Sequence, residues 1–161
     1  MAGEHASLSS TDLASRVPLV RLTLGALDQL TDESLAVFCF ADVRPLCGAA
    51  GVVDWRLCGQ ISRAIERGHF GGGDGELVLL PSRARQRRRV FLFGLGGWRD
   101  CDRGRFRQAV SQAHSVLRRA GVKDIVLVAP DAPEATDVEA EFVRAVAEEP
   151  SHDVARILVG G

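Results

Sequence analysis

The strongest constraint in this sequence is its alternation of short apolar segments with segments of helical periodicity. The segments LAVFCF (35–40), RVFLFGLG (89–96) and DIVLVAP (124–130) are almost wholly apolar, as strands covered on both faces are. Between them, apolar residues recur every three to four positions, which is typical of amphipathic helices. The order β-β-α-β-β-α-β-α-β predicts an α/β protein, specifically a three-layer α/β/α sandwich.

The remaining elements follow from the same patterns. We expect further strands at 17–27, 76–81 and 155–161, and helices at 49–67, 103–120 and around 138–146. Asp54 lies near the positive N-terminal end of the first of these helices, where a carboxylate is favourable. The segment SRARQRRR joins two consecutive strands, which predicts a hairpin and therefore a mixed sheet.

The length and the first residues indicate one domain with a short tail. A chain of 161 residues is the size of a single domain. Residues 1–16 are small and polar, so we expect a flexible N-terminal tail, followed by one α/β domain over 17–161. The sequence has no secretory signal pattern and no apolar run near the roughly 20 residues that span a bilayer. We therefore expect a cytoplasmic protein with no membrane partner.

The chemistry-bearing residues do not form a recognisable catalytic or metal-binding pattern. The four cysteines contain no CxxC pair, which argues against a zinc site and for reduced structural thiols. Lys123 is the only lysine, and neither an HExxH nor a GxSxG motif occurs. The sequence predicts no catalytic residue, no metal ligand and no cofactor.

Two glycine-rich segments form the candidate ligand site. The dinucleotide fingerprint fails because Arg99 stands where its third glycine is needed, and no P-loop pattern occurs. Glycine backbone can still approach an anion closely, so an ADP-ribose-type nucleotide is one hypothesis. The hypothesis we favour is a flexible loop between a helix and a strand. The candidate ligand-binding residues are Gly71, Gly72, Gly73, Gly94 and Gly96.

An arginine cluster and two tryptophans complete the candidate set. The cluster consists of Arg83, Arg85, Arg87, Arg88 and Arg89. These side chains could bind nucleic-acid phosphates, but no interleaved aromatics support base stacking. We favour a solvated turn whose charges protect the neighbouring apolar strand from aggregation. Trp55 and Trp98 are candidate interaction residues; packing is their commoner role, and an exposed Trp55 would indicate a protein contact.

Several segments together resemble a known family. The run SLAVFCFADVRPLCGAAGVVDWRLCGQISRAIERGHFGGGDGELVLLP, followed by RVFLFGLG, resembles the N-terminal domain of the leucyl aminopeptidases, peptidase family M17. The resemblance extends roughly over 17–161 and implies a macro-domain-like fold. In that family the dinuclear metal site, the catalytic lysine and arginine and the NTDAEGR-type signature belong to a separate C-terminal domain. No such signature occurs here, so no catalytic residue is carried over.

The resemblance implies a free-standing N-terminal domain without the peptidase half. In the family this domain helps build the hexamer and, in some bacterial members, takes part in DNA binding. We therefore expect a non-catalytic interaction or assembly module that binds itself or another protein. The alternatives are a macro-domain-like nucleotide binder and DNA binding through the arginine-rich turn. An aminopeptidase assignment would rest on fold analogy and not on a site.

Overall fold

A six-stranded sheet forms the centre of the computed structural model, which describes residues 17–30, 33–80, 88–133, 137–149 and 154–160. The strand order is β1-β6-β5-β2-β4-β3. Neighbouring strands are parallel except β3 and β4, which are antiparallel with Leu80 opposite Val90. The mixed sheet is therefore confirmed. The strands are β1 (Leu19–Arg21), β2 (Ser34–Cys39), β3 (Leu77–Leu80), β4 (Val90–Gly94), β5 (Ile125–Val128) and β6 (Val154–Val159).

Helices cover both faces of this sheet, as the three-layer prediction requires. The helices are α1 (Leu24–Asp28), α2 (Gly48–Arg56), α3 (Gln60–Glu66), α4 (Arg103–Arg119) and α5 (Val138–Glu148). Helices α1 to α3 pack on one face, and α4 and α5 pack on the other. On the α4–α5 side, the Phe38 ring lies 5.3 Å from that of Phe93 and 4.8 Å from that of Phe142. Such aromatic contacts add to the free energy that burial already supplies.

The predicted strand at 17–27 is wrong beyond Arg21. Thr23 has an extended backbone, and its side-chain oxygen accepts a hydrogen bond from the Ala26 amide at 3.1 Å. This is an N-cap contact, which satisfies one of the amides left free at a helix start. Helix α1 therefore begins at Leu24, and the side chain of Leu24 is exposed.

The predicted helix at 49–67 is two helices. Cys58 and Gly59 both have positive φ, at 55° and 76°, which ends α2 and reorients the chain before α3. Asp54 lies in the last turn of α2, not near its N-terminus. Its carboxylate accepts hydrogen bonds from the Ile61 amide at 2.7 Å and the Ser62 hydroxyl at 2.5 Å. Asp54 therefore caps α3, the second of the two helices that replace the predicted one, and not the start of α2.

Two sequence predictions concern residues that the structure leaves undescribed or describes only in part. The predicted tail at 1–16 and the segment 81–87, which connects β3 to β4, lie outside the described residues. In the ranges that are described, none of the helices combines the length and the apolar character needed to span a membrane.

Candidate functional site

The candidate glycines do lie together, at the end of β4. The Gly96 amide donates to the Gly72 carbonyl at 2.9 Å, and the Gly75 amide donates to the Gly94 carbonyl at 3.2 Å. A Cβ on Gly94 would lie within 2.9 Å of the Gly73 carbonyl carbon. The glycine loop, residues 68–75, is therefore packed directly against the strand. Glycine is needed at position 94 because the loop backbone fills the space of a side chain.

The amides of this loop already have an anionic partner within the chain. The Glu76 carboxylate accepts from the Gly71 amide at 3.0 Å and from the Gly73 amide at 2.9 Å. These are the N–H groups that an anionic ligand would use in a backbone nest. The ligand hypothesis for the glycines stays a prediction. In this structure the Glu76 carboxylate binds the amides that an anionic ligand would use. Sequence reasoning missed Glu76, although a carboxylate directly after GGGDG was the available signal.

A guanidinium secures the other side of the glycine loop. Arg44 donates to the carbonyls of Phe40 and Val43, each at 2.7 Å, and to that of Gly71 at 2.9 Å. These bonds connect the end of β2 to the start of the glycine-rich stretch. The loop is thus held from both sides by its own chain, which indicates a structural role for the contacts.

A second place for a ligand is the crevice where β2 and β5 end. The chain leaves β2 toward α2 on one face and leaves β5 toward α5 on the other, and α/β proteins commonly bind ligands at such a point. The Asp131 side chain lies against Gly48, at the start of α2, where a Cβ would be 2.5 Å from the Asp131 Cβ. The Cys47 thiol donates to the Asp131 carbonyl at 3.6 Å.

Another carboxylate closes the same crevice. Glu139 Oε2 accepts from the Gly160 amide at 2.7 Å, directly beyond β6. Burial raises the pKa of Glu139, and the nearby Asp131 charge raises it further, against the Gly160 amide and Arg21. Among the described residues, the crevice thus holds two acidic side chains, which disfavour an anionic ligand such as a nucleotide.

The arginine cluster is described only at its last two members. Arg83, Arg85 and Arg87 lie outside the described residues. Arg88 donates to the carbonyl of Leu30, beyond α1, and burial lowers the pKa of its guanidinium. Arg89 donates to the Ala120 carbonyl, at the end of α4, at 2.9 Å. Both side chains thus bind carbonyls that follow helices, where a cation is favourable.

Arginines of α4 pair with glutamates of α5. Arg103 binds Glu141 at 2.9 Å, and Arg107 lies 3.5 Å from Glu148. These contacts join α4 to α5 along their exposed sides. These positive charges of α4 are therefore balanced within the domain.

The two tryptophans have different surroundings. Trp98 is partly buried against the core, with its amide bound to Asp42 at 3.0 Å and the Arg99 guanidinium 4.7 Å from its ring centre. These contacts are typical of packing, and a role of Trp98 in an interaction stays a prediction. Trp55, on α2, is 68% exposed, which is unusual for a large aromatic side chain.

Two grooves flank Trp55. One has a volume of about 530 Å³ and is lined mainly by apolar side chains, including Leu22, Leu24, Leu46 and Val52. The other, of about 610 Å³, lies toward α3. Arg56, which lines this second groove, pairs through its guanidinium with the Asp28 carboxylate at 2.6 Å, and both side chains are about half exposed. We call Leu24, Leu46, Val52 and Trp55, with the rim pair Asp28 and Arg56, the Trp55 face.

The cysteines and histidines offer little further chemistry. The four cysteines are all free. Burial raises the pKa of the Cys39 thiol to about 12 and that of Cys101 to about 12, so both are protonated at neutral pH. Cys58 is exposed, as is His69 in the glycine loop. In the ranges described, no three His, Cys, Asp or Glu side chains are grouped so that they could hold a metal ion.

Residues 36–151 match the family model described as the N-terminal domain of the cytosol aminopeptidase family. The chain belongs to this family. A curated relative is the probable cytosol aminopeptidase of Halorhodospira halophila (strain DSM 244 / SL1), 35% identical over 91 residues. That alignment covers 56% of this chain and 18% of the relative. The chain thus spans less than a fifth of the relative's length.

Solved structures show the same fold at low sequence identity. A mutant of tomato leucine aminopeptidase matches with a TM-score of 0.57 and 14% identity, over 87% of this chain and 31% of that one. The macrodomain of Mycobacterium tuberculosis DarG matches with a TM-score of 0.57 and 14% identity, over 90% and 99% of the two chains. The macrodomain of Thermus aquaticus DarG gives 0.54 and 14%, over 89% and 97%. The predicted family and the macro-domain-like fold are confirmed.

Proposed function

We propose that this cytosol aminopeptidase N-terminal-type domain is a non-catalytic assembly module of the cytoplasm. It assembles by placing the Trp55 face against the same face of a second copy. The observation that carries the proposal is the 68% exposure of Trp55 between two grooves. The family's name, cytosol aminopeptidase, supports the compartment. The proposal of a non-catalytic role rests on the match to an N-terminal domain and on the lack of a catalytic motif in the sequence.

The exposed Trp55 indole is hydrated in a single copy of the chain, and covering it removes apolar surface from water. A tryptophan buries about 150–250 Å² when it is covered, and tryptophan is enriched among the residues that dominate binding energy. Leu24, 43% exposed, extends the apolar surface beside it. An exposed aromatic next to an apolar groove is a feature of interaction surfaces.

The same surface also explains why a second copy is the partner. It carries a projecting group, a hollow and a pair of opposite charges, Asp28 and Arg56. A surface that carries both the projecting group and the hollow that receives it, and both charges of an ion pair, is complementary to itself. Self-complementarity is the requirement for a symmetric dimer. A surface that binds a different protein needs only one member of each contact, because the partner supplies the other.

The experiment compares the wild-type chain with Trp55→Ala and Leu79→Ala. Leu79 is a matched control because it is 52% exposed but lies on β3, outside the Trp55 face. We expect light scattering after size exclusion to show a mass that rises with wild-type and Leu79→Ala concentration. Trp55→Ala should raise the dimer dissociation constant at least about 30-fold, as a central interface tryptophan does. A wild-type chain that stays monomeric at its highest soluble concentration contradicts the proposal.

A further inference from the structure

We infer that the assembly is a two-fold pair in which each Trp55 indole enters the groove between α1 and α2 of the other copy. This inference rests on the proposed function and adds the geometry of the contact. It identifies the groove of about 530 Å³, and not the one of about 610 Å³, as the receiving site.

The composition of the two grooves selects the receiving site. The groove between α1 and α2 is lined by the side chains of Leu22, Leu24, Leu46 and Val52, with one hydroxyl and one thiol. The groove toward α3 includes Asp54 and Ser62, whose polar atoms are already used in capping. An indole gains more from apolar contacts than from polar groups whose hydrogen bonds are already made.

The position of Trp55 determines the symmetry. Trp55 itself lines the receiving groove, so the projecting group and the hollow are neighbours on one face. When two such faces meet about a two-fold axis, each indole lies opposite the groove of the other copy, and both contacts form at once. A head-to-tail contact would use the indole of one copy and leave its groove open to further copies.

The rim charges are arranged for the same geometry. The Arg56 guanidinium, one residue after Trp55 on α2, lies 2.6 Å from the Asp28 carboxylate at the end of α1. In the inferred pair the two-fold axis passes next to these two residues, so the carboxylate of one copy lies near the guanidinium of the other. Complementary charges of this kind fix the register of an interface more than its strength.

The test uses the charge reversals Asp28→Arg and Arg56→Asp. The first variant carries two positive charges at the rim and the second carries two negative charges. Each variant alone should self-associate at least about tenfold more weakly than the wild type, because like charges face each other. An equimolar mixture of the two should form a heterodimer at about the wild-type affinity, since the two rims then have opposite charge.

Two controls keep the result specific. Arg144→Asp reverses one exposed charge on α5, where the side chain is 47% exposed, and should leave self-association unchanged. The double variant Asp28→Arg/Arg56→Asp restores the pair in reverse order and should recover the wild-type affinity. Both single variants break one surface ion pair, which contributes little to folding, so both should unfold at nearly the wild-type urea concentration.

The outcomes separate this inference from the proposed function. Rescue in the mixture, and its loss when both chains also carry Trp55→Ala, supports the two-fold pair. If the wild type and the Arg144→Asp control self-associate, and Trp55→Ala prevents this, but the mixture shows no rescue, the assembly through the Trp55 face stands. The inferred register, in which each indole enters the groove between α1 and α2 and the rim pairs face each other, is then wrong. A monomeric wild type overturns both. Self-association that Trp55→Ala leaves unchanged places the interface on another surface and also overturns both.

Discussion

The backbone of Gly73 lies against Gly94 so closely that a Cβ at position 94 would come under 3.0 Å from the Gly73 carbonyl. Real Cβ atoms do not make contacts of this length with backbone. The relationship makes the glycine loop an integral part of the structure at the carboxyl end of β4. It also means that a single methyl group at Gly94 tests how the loop is held.

We predict that Gly94→Ala destabilises the domain by about 2–3 kcal/mol or more, because the added methyl forces backbone to move in a packed region. Gly25→Ala is the control, since a Cβ there meets only the Thr23 hydroxyl oxygen at 3.9 Å. Alanine in a helix is favoured over glycine by roughly 0.5–1 kcal/mol. Urea unfolding should therefore move the two midpoints in opposite directions. Equal midpoints would contradict the packing described for Gly94.

We predict that Asp54→Ala lowers the free energy of unfolding by about 2 kcal/mol, because the first amides of α3 lose their acceptor in a buried position. Ser62→Ala removes only the hydroxyl contact and should cost about 1 kcal/mol. Asp28→Ala removes an exposed carboxylate and should cost less than about 1 kcal/mol. Urea denaturation of the three variants gives this ranking, and an Asp54 effect no larger than that of Asp28 would refute the capping role.

We predict that Glu76→Ala destabilises the glycine loop by about 1 kcal/mol, since two amides lose a charged acceptor that water replaces in part. Glu66→Ala, on the exposed side of α3, is the control and should have little effect. Hydrogen exchange at the Gly71 and Gly73 amides should be faster in Glu76→Ala than in the wild type.

The occupied amides lead to a separate prediction about nucleotides. We expect millimolar ADP-ribose to leave the melting temperature of the wild-type chain unchanged, because Glu76 already binds Gly71 and Gly73. A ligand that binds the native state would raise the melting temperature with its concentration. A saturable rise would support the nucleotide-binding alternative and would show that Glu76 can be displaced.

We predict opposite effects of pH through two glutamates of α5. A hydrogen bond from Arg103 lowers the pKa of Glu141, so its contribution to stability is present above the ordinary pKa of 4.5 and is lost as the pH falls below it. Burial raises the pKa of Glu139 above 4.5, so ionisation there costs stability as the pH rises through the folded-state pKa. Urea midpoints across this pH range should show Glu141→Gln lower than the wild type at pH 7 and Glu139→Gln higher.

Both differences should disappear at acid pH, where the two carboxyls are protonated in the folded and unfolded chains. The amide oxygen of glutamine can still accept from Gly160, so Glu139→Gln keeps that hydrogen bond. A Glu139→Gln variant that is less stable than the wild type at pH 7 would contradict the direction of the Glu139 pKa.

The buried strands were predictable because their sequences carry little ambiguity. Both neighbours of β2 and the two helical layers cover it, and all six of its residues are buried, which requires the apolar run that the sequence shows. The boundary between α2 and α3 was not predictable from periodicity, since Val53 and Ile61 bury the same side in both helices. What breaks the helix is a left-handed backbone at Cys58 and a contact of Asp54 with a residue eight positions later.

The candidate site was predictable only in part. The clustering of glycines in two segments, 71–73 and 94–96, indicated that backbone is closely approached there. In the structure the two segments contact each other through Gly72 and Gly96. The Glu76 contact depends on how the chain folds back, which composition does not reveal. The exposure of Trp55 depends on the rotation of α2 about its own axis, since Val53 two residues earlier is fully buried.

Strand β6 lies between β1 and β5, with Leu19 opposite Ile157. Residues 19–21 therefore have no partner in the sheet until residues 154–159 have left the ribosome. During synthesis β1 remains unpaired, whereas β2, β4 and β5 can already associate. Completion of the sheet is thus a late step that joins segments more than 130 residues apart, and non-local pairing of this kind is slow.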